Sequence, residues 1–192
     1  MLFLSGCAST PPPARAHGNI CDIISHDASW YRAAKKSESR WGTPVSIQIA
    51  FVRQESSFVH NARPPRDKIF GFLPGKRKSS AYGYAQALDG TWNDYKNATG
   101  NRFARRTSID DALDFIGWYN SISNQRNGVA LTDAYNLYLN YHEGHAGFRN
   151  RTYNNKPWLI SVARSVESRA RAYDAQLPNC RLPSSLCVWP FC

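Results

Sequence analysis

Thr43-Pro44-Val45-Ser46-Ile47-Gln48-Ile49-Ala50-Phe51-Val52-Arg53-Gln54-Glu55-Ser56-Ser57-Phe58 reads as one amphipathic helix with a carboxyl group at its end. Thr43 suits the N-cap, and Pro44 suits the first helical position, where no amide hydrogen is needed. Ile47, Ala50, Phe51 and Gln54 recur at helical spacing, so one face is expected to be buried. Glu55 follows that face directly, where the chain is about to break. A carboxyl half-buried against apolar groups titrates above its ordinary range, which general-acid chemistry near neutral pH requires. A surface glutamate closing a helix is the plain alternative, and this segment by itself favours it.

Outward from this segment the pattern stays helical. A first helix is expected from about Asn19 to Lys36, with Ile20, Ile23, Ile24, Ala28 and Tyr31 on one stripe. A short helix is expected from Thr91 to near Gly100. Ser108-Ile109-Asp110-Asp111 opens a long one, with acidic residues in the first turn as the helix dipole favours. Ala112, Phe115, Ile116, Tyr119 and Ile122 or Ser123 form its inward face, and Asn127-Gly128 stops it. Further helices are expected over Thr132–Tyr141 and Pro157–Gln176. Between Phe58 and Ser80 runs Arg63-Pro64-Pro65-Arg66-Asp67-Lys68-Ile69-Phe70-Gly71-Phe72-Leu73-Pro74-Gly75-Lys76-Arg77-Lys78. Its Pro, Gly and basic residues exclude a helix but allow a short hairpin, and Phe70, Phe72 and Leu73 give it an apolar tip. It reads either as a loop flanking a substrate cleft or as a solvated loop without catalytic consequence. The expected fold is mainly α, a single helical domain over residues 19–178. A Pro-rich tether (1–18) precedes it and a Cys-containing tail (179–192) follows.

The 192 residues carry a formal charge of +10 and a pI near 9.6, which predicts an anionic partner. Nucleic acid, acidic membranes and the free carboxylates of peptidoglycan stem peptides all qualify. The cations concentrate centrally, in Arg63, Arg66, Lys68, Lys76, Arg77, Lys78, Arg102, Arg105 and Arg106. No nucleic-acid recognition motif accompanies them, so charge alone supports that partner. Six Trp and ten Tyr supply faces that stack on sugar rings, although such residues also fill cores.

Five cysteines bear on the compartment. Leu4-Ser5-Gly6-Cys7 resembles a bacterial lipobox, in which the cysteine is lipidated. Only Met1-Leu2-Phe3-Leu4 precedes it, shorter than a secretion segment, which reads as a truncated start. Residues 8–16, Ala8-Ser9-Thr10-Pro11-Pro12-Pro13-Ala14-Arg15-Ala16, read as a tether. By resemblance to bacterial lipoproteins, Ala8 after the cysteine implies an outer-membrane lipoprotein on the periplasmic side of a Gram-negative envelope. A membrane partner then comes through the lipid anchor only. Cys21, Cys180, Cys187 and Cys192 remain, an even number suited to two disulfides with three connectivities. Cys21–Cys180, joining the first helix to the last, and Cys187–Cys192 are expected. A zinc site on these thiols is the alternative, weakened by the lack of a Cys-x-x-Cys spacing.

Two further segments bear on Glu55: Ser79-Ser80-Ala81-Tyr82-Gly83-Tyr84-Ala85-Gln86-Ala87-Leu88, and Leu139-Asn140-Tyr141-His142-Glu143-Gly144-His145-Ala146-Gly147-Phe148. In order, the three segments resemble the signature of the soluble lytic transglycosylase family, lysozyme-like enzymes that cut peptidoglycan. That signature runs Glu-Ser-x-Phe, Gly-Leu-Met-Gln and Ala-Tyr-Asn-x-Gly. Glu55-Ser56-Ser57-Phe58 matches the first element, Gly83 and Gln86 the ends of the second, and Tyr141 and Gly144 the third. The resemblance covers about Trp41 to Tyr173. Tyr84-Ala85 stands in place of Leu-Met, and His142 in place of Asn. No Met follows Met1, so Tyr84, Tyr141 or a Trp must supply the apolar wall beside the acid.

The resemblance implies a lysozyme-like fold and one catalytic carboxyl. Glu55 would protonate the oxygen between N-acetylmuramic acid and N-acetylglucosamine, the substrate's own acetamido group would stabilise the anomeric carbon, and Glu55 would then deprotonate the C6 hydroxyl. The glycan strands are the implied partner, no cofactor is needed, and a cell-envelope protein assembly is a further candidate partner. Ser56 would donate near Glu55 or cap its own backbone. Gln86 would hold a sugar amide or orient Glu55. Tyr141 would point at Glu55 or the acetamido carbonyl, and Tyr84, His142 and Gly83 would line the substrate site. A hydrolytic muramidase needs a second carboxylate, for which Asp67 and Asp89 are the candidates. A binding module that has lost the chemistry is a third reading. The spacing His142-Glu143-Gly144-His145 is one residue short of the metalloprotease motif, so no metal is expected.

Overall fold

Asp27 interrupts the first expected helix. The structure, a computed structural model describing residues 10–69 and 73–182, has α1 at Ile20–His26 and α2 at Ser29–Trp41 instead of one helix over 19–36. Asp27 sits in extended backbone, and its Oδ1 accepts from Ser29 N at 2.8 Å, capping a new helix rather than continuing the old one. The remaining elements are α3 (Val45–Ser56), β1 (Arg66–Ile69), β2 (Leu73–Arg77), α4 (Asp89–Thr99), α5 (Ile109–Asn127), α6 (Ala134–Arg149) and α7 (Pro157–Gln176). The domain is mainly α, as expected. The two strands form an antiparallel hairpin pairing Arg66 with Arg77 and Ile69 with Leu73. Phe70 and Phe72, expected at its tip, lie outside the described residues, as do Cys7, Cys187 and Cys192.

α5 and α7 follow the sequence pattern closely. Ser108 caps α5 by accepting from Asp111 N, and Gly128 ends it in the left-handed region. The expected face is buried at Ala112, Phe115, Ile116, Tyr119 and Ser123, and Leu113 and Trp118 are buried beside it. α7 buries Leu159, Ala163, Val166, Ala170 and Tyr173 at spacings of three and four.

α3 departs from the expected single stripe. Val45 through Val52 are all buried, because α2, α5 and α7 enclose this helix from several sides. It begins one residue later than expected, with Pro44 at the cap and Thr43 fully buried. The buried Gln48 donates through Nε2 to Ala34 O and Thr43 O at 3.1 and 2.7 Å, tying the start of α3 to α2. Its far end is bent sharply. Ser57 and Phe58 both adopt left-handed backbone, at φ 49° and 67°, which costs non-glycine residues roughly 1–2 kcal/mol each. Phe58 is fully buried in return, edge-on to Trp30 at 5.1 Å and to His17 at 4.8 Å.

α6, expected to stop near Tyr141, runs on to Arg149 through a kink at Gly144 (φ 74°, ψ 159°). Glycine adopts that backbone without a Cβ penalty. The kink lets His145 O accept from Asn127 Nδ2 at 3.0 Å.

The ends of the described chain are joined. Residues 14–18, expected within the tether, form a 3₁₀ turn that packs on α1, and Tyr173 donates its hydroxyl to His17 O. Cys21 and Cys180 form the expected disulfide, removing both thiols from the alternative zinc site. The link closes a sequence separation of 159 residues, and crosslinks of that span restrict the unfolded chain strongly. Cys21→Ser is therefore expected to lose about 3–5 kcal/mol, or roughly 10 °C in Tm, relative to the oxidised protein. Calorimetry with and without reductant checks this: wild type with reductant should melt with the variant, and equal Tm values throughout would show that packing alone holds the two ends.

Candidate active site

Glu55 occupies the last turn of α3, just before the left-handed bend, with only part of its surface open to solvent. Tyr138 on α6 donates its hydroxyl to Glu55 Oε1 at 2.8 Å. Phe51, one turn back on α3, packs edge-on against Tyr138 and Tyr141 with centroids 5.3 and 5.4 Å apart. The apolar wall beside the acid is thus Phe51, Tyr138 and Tyr141. Burial in this aromatic surround raises the Glu55 carboxyl from 4.5 to about 7, and the Tyr138 hydrogen bond partly opposes the rise. Burial and the neighbouring Glu55 charge likewise push both tyrosine hydroxyls up, so each stays protonated near neutral pH.

Tyr141 does not point its hydroxyl at Glu55. It donates to Ala85 O at 2.6 Å, joining α6 to the turn over Tyr82–Ala87. That turn needs its glycine: Gly83 has φ 78°, and a Cβ there would meet Arg106 O at 2.1 Å. Gln86 donates through Nε2 to Ala62 O and Gly83 O at 2.9 and 2.8 Å, and Gly83 N donates to Ala62 O at 3.0 Å. Gln86 and Gly83 thereby pin the chain leaving α3 to the turn that receives Tyr141. The three sequence segments converge on Glu55 through this network.

Three other expected site residues make contacts of their own. Tyr84 is buried edge-on to Trp30 at 5.1 Å. Ser56 donates to Val52 O at 3.0 Å, the backbone capping that its place at the helix end allowed. His142 has Nδ1 3.0 Å from Glu143 Oε1 and its ring edge-on to the exposed Trp158 at 5.1 Å. Tyr138 was not singled out by the motifs. The signal available was its position three residues before Tyr141, on the same face of one helix.

Burial pushes the Glu143 carboxyl up, but hydrogen bonds from Lys156, Thr152 and His142 outweigh it and hold it at about 2. His145 stacks on Tyr119 at 4.4 Å and meets Ser123 Oγ at 3.1 Å, and burial lowers its basicity. Among the described residues no three His, Cys, Asp or Glu side chains converge closely enough to hold a metal ion. Asp67 and Asp89 are both largely exposed and face cations, Lys78 at 3.9 Å and Arg106 at 2.7 Å. A cavity of about 760 Å³ near the start of α3 includes none of Glu55, Tyr138 or Tyr141 in its walls, and the chemistry argues for the Glu55 surround instead.

The chain belongs to the transglycosylase SLT domain family, whose model matches residues 1–180, and so to the enzymes that act on peptidoglycan in the cell envelope. No curated protein and no solved structure matches the chain. Among the described residues no helix is long and apolar enough to cross a membrane.

The raised Glu55 carboxyl predicts a pH-dependent stability. Its folded value of about 7 exceeds the unfolded value of 4.5, so the native state holds a proton that the unfolded chain releases between them. Stability therefore falls as pH rises through that window. Glu55→Gln does not titrate, and its advantage over wild type is expected to grow from near zero at pH 4 to on the order of 2–3 kcal/mol at pH 8. Urea denaturation at both pH values measures this, and an advantage that stays constant would mean Glu55 titrates normally.

Proposed function

We infer that this protein is a peptidoglycan lytic transglycosylase in which Glu55 alone serves as acid and then base. The observation that carries the reading is a single carboxyl raised to about 7, whose titration answers to burial and the Tyr138 hydroxyl and to no second carboxylate. Such a group is protonated in an appreciable fraction at neutral pH and can still accept a proton later in the cycle. With Tyr138 donating to Oε1, the acidic proton belongs on Oε2, free to meet the glycosidic oxygen. Glu55 protonates the oxygen between N-acetylmuramic acid and N-acetylglucosamine as the bond to the anomeric carbon breaks. The substrate's acetamido carbonyl shields that carbon. Tyr138 then stabilises the Glu55 carboxylate, which takes the proton of the C6 hydroxyl as that oxygen closes a 1,6-anhydro ring. Protons balance over the cycle, and no water is consumed.

Gly83, Gln86 and Tyr141 serve in this reading by holding the cleft's shape, and His142 with Trp158 offers a sugar-facing surface. In this reading the basic hairpin is the loop that flanks the cleft. Its cations and Arg63, stacked over Tyr82 at 4.1 Å, suit an anionic polymer. Cys7 is proposed as the lipid attachment point of an outer-membrane lipoprotein, supported by its lipobox-like setting and the proline-rich residues after it.

Mass spectrometry of the products from purified sacculi tests the reading. Wild type is expected to release anhydro-muropeptides, each one water lighter than its reducing counterpart, and Glu55→Gln to release none. Reducing ends would instead identify a muramidase, and bound but uncut sacculi would identify a binding module. Tyr138→Phe should slow cleavage roughly a hundredfold. Losing a hydrogen bond that favours the carboxylate raises the Glu55 pKa further, so the alkaline limb of its pH–rate profile should move to higher pH. An unmoved limb would separate Tyr138 from the acid.

A further inference from the structure

Arg53, two residues before Glu55, faces a recess of about 490 Å³ between α3 and α7. Ser161, Arg164, Ser165, Ser168 and Arg169 line it from α7, at the three- and four-residue spacing of one helix face. No Asp or Glu lines this recess. Among the described residues none of its three guanidinium groups pairs with a carboxylate, whereas Arg40, Arg106 and Arg171 each do. Arg53 Nε is buried without a hydrogen-bond partner, and Arg169 reaches only the neutral Gln54 Oε1, at 3.4 Å. Burial and the Arg53 charge both pull the Arg169 guanidinium below its ordinary value, as expected for two cations confined without an anion.

We propose that this recess binds an oxyanion, namely a free carboxylate of the peptidoglycan stem peptide. Planar guanidinium forks donate to carboxylates in bidentate fashion, and three serine hydroxyls add donors. The choice of a stem-peptide carboxylate rests on the transglycosylase reading. Arg169 lies close enough to Tyr138, the hydroxyl donor to Glu55, for its charge to act there, so the recess stands near the end of α3 where a glycan strand at Glu55 would carry its peptides. The larger cavity near the start of α3 is a poorer candidate, because Asp133, Glu167 and Asp174 share its walls with Arg164 and Arg171.

The test measures binding in the Glu55→Gln protein, which removes turnover. The probes are a soluble muropeptide with its stem peptide, the same molecule with its carboxylates amidated, and inorganic phosphate as a competitor. Amidation should weaken binding about tenfold, the scale of one charge-assisted hydrogen bond. Adding Arg53→Gln should abolish that discrimination. Arg164 is exposed, so Arg164→Gln keeps the test available if the Arg53 variant does not fold, and it should reduce the discrimination as well. Equal binding of amidated and free muropeptides, discrimination that survives both substitutions, or muropeptide binding that excess phosphate leaves unchanged would overturn the proposal. Anhydro products without carboxylate discrimination would refute this site and leave the enzyme reading intact. Discrimination by a wild type that yields no anhydro products would do the reverse.

Discussion

Phe58 is buried completely beneath Trp30 and His17, and to reach that position the chain must pass through two successive left-handed residues. That bend ends α3 where it does. Were the helix to continue, Phe58 would leave its pocket and the carboxyl at position 55 would no longer stand at a helix end. Instead the last turn is held from both sides, by the packed body of α3 behind it and by the buried phenyl ring ahead. A small backbone cost, set against burial of a large aromatic side chain, thus fixes where Glu55 sits.

The chemistry open to Glu55 then depends on what α6 and the Gly83 turn bring to it. Tyr138 and Tyr141 lie one turn apart on α6 and play different parts. Tyr138 touches the carboxyl, while Tyr141 spends its hydroxyl on Ala85 O and contributes a ring to the wall. The turn is secured by hydrogen bonds from Gly83 and Gln86 to Ala62, by Tyr84 N donating to Arg106 O at 3.1 Å, and by the close approach that only glycine allows. These contacts are structural: they hold the turn that receives Tyr141, and burial is what raises the Glu55 pKa.

The same helix end presents two kinds of chemistry. On one side is a carboxyl with apolar walls, and on the other an arginine without a counter-ion. An anionic branched polymer offers a neutral glycosidic oxygen and charged peptides on the same strand, so the juxtaposition suits one substrate rather than two. The disulfide between Cys21 and Cys180 closes the far side of this region, holding α1 and the residues after α7 together where Tyr173 meets His17.

Much of the architecture was legible from local pattern. Hydrophobic spacing placed α5 and α7 almost to the residue, and Glu55-Ser56-Ser57-Phe58 marked the candidate acid because helix periodicity and a shared motif coincided there. Three things were not legible. Asp27 splits the first helix because its side chain captures a nearby amide, a choice that periodicity averages over. α3 is buried on nearly every side because three helices happen to surround it, which no one-dimensional stripe records. Tyr138 touches Glu55 while Tyr141 does not, because the approach of α6 to α3 sets which hydroxyl arrives within hydrogen-bonding distance. Sequence alone determined most of the helices and the candidate acid, since these follow from local spacing and side-chain chemistry, whereas the Cys21–Cys180 pairing was one of three connectivities until the fold brought the two together. Only the tertiary structure decided which tyrosine serves the acid and which arginines are left without a partner, since both depend on distances between residues far apart in the chain.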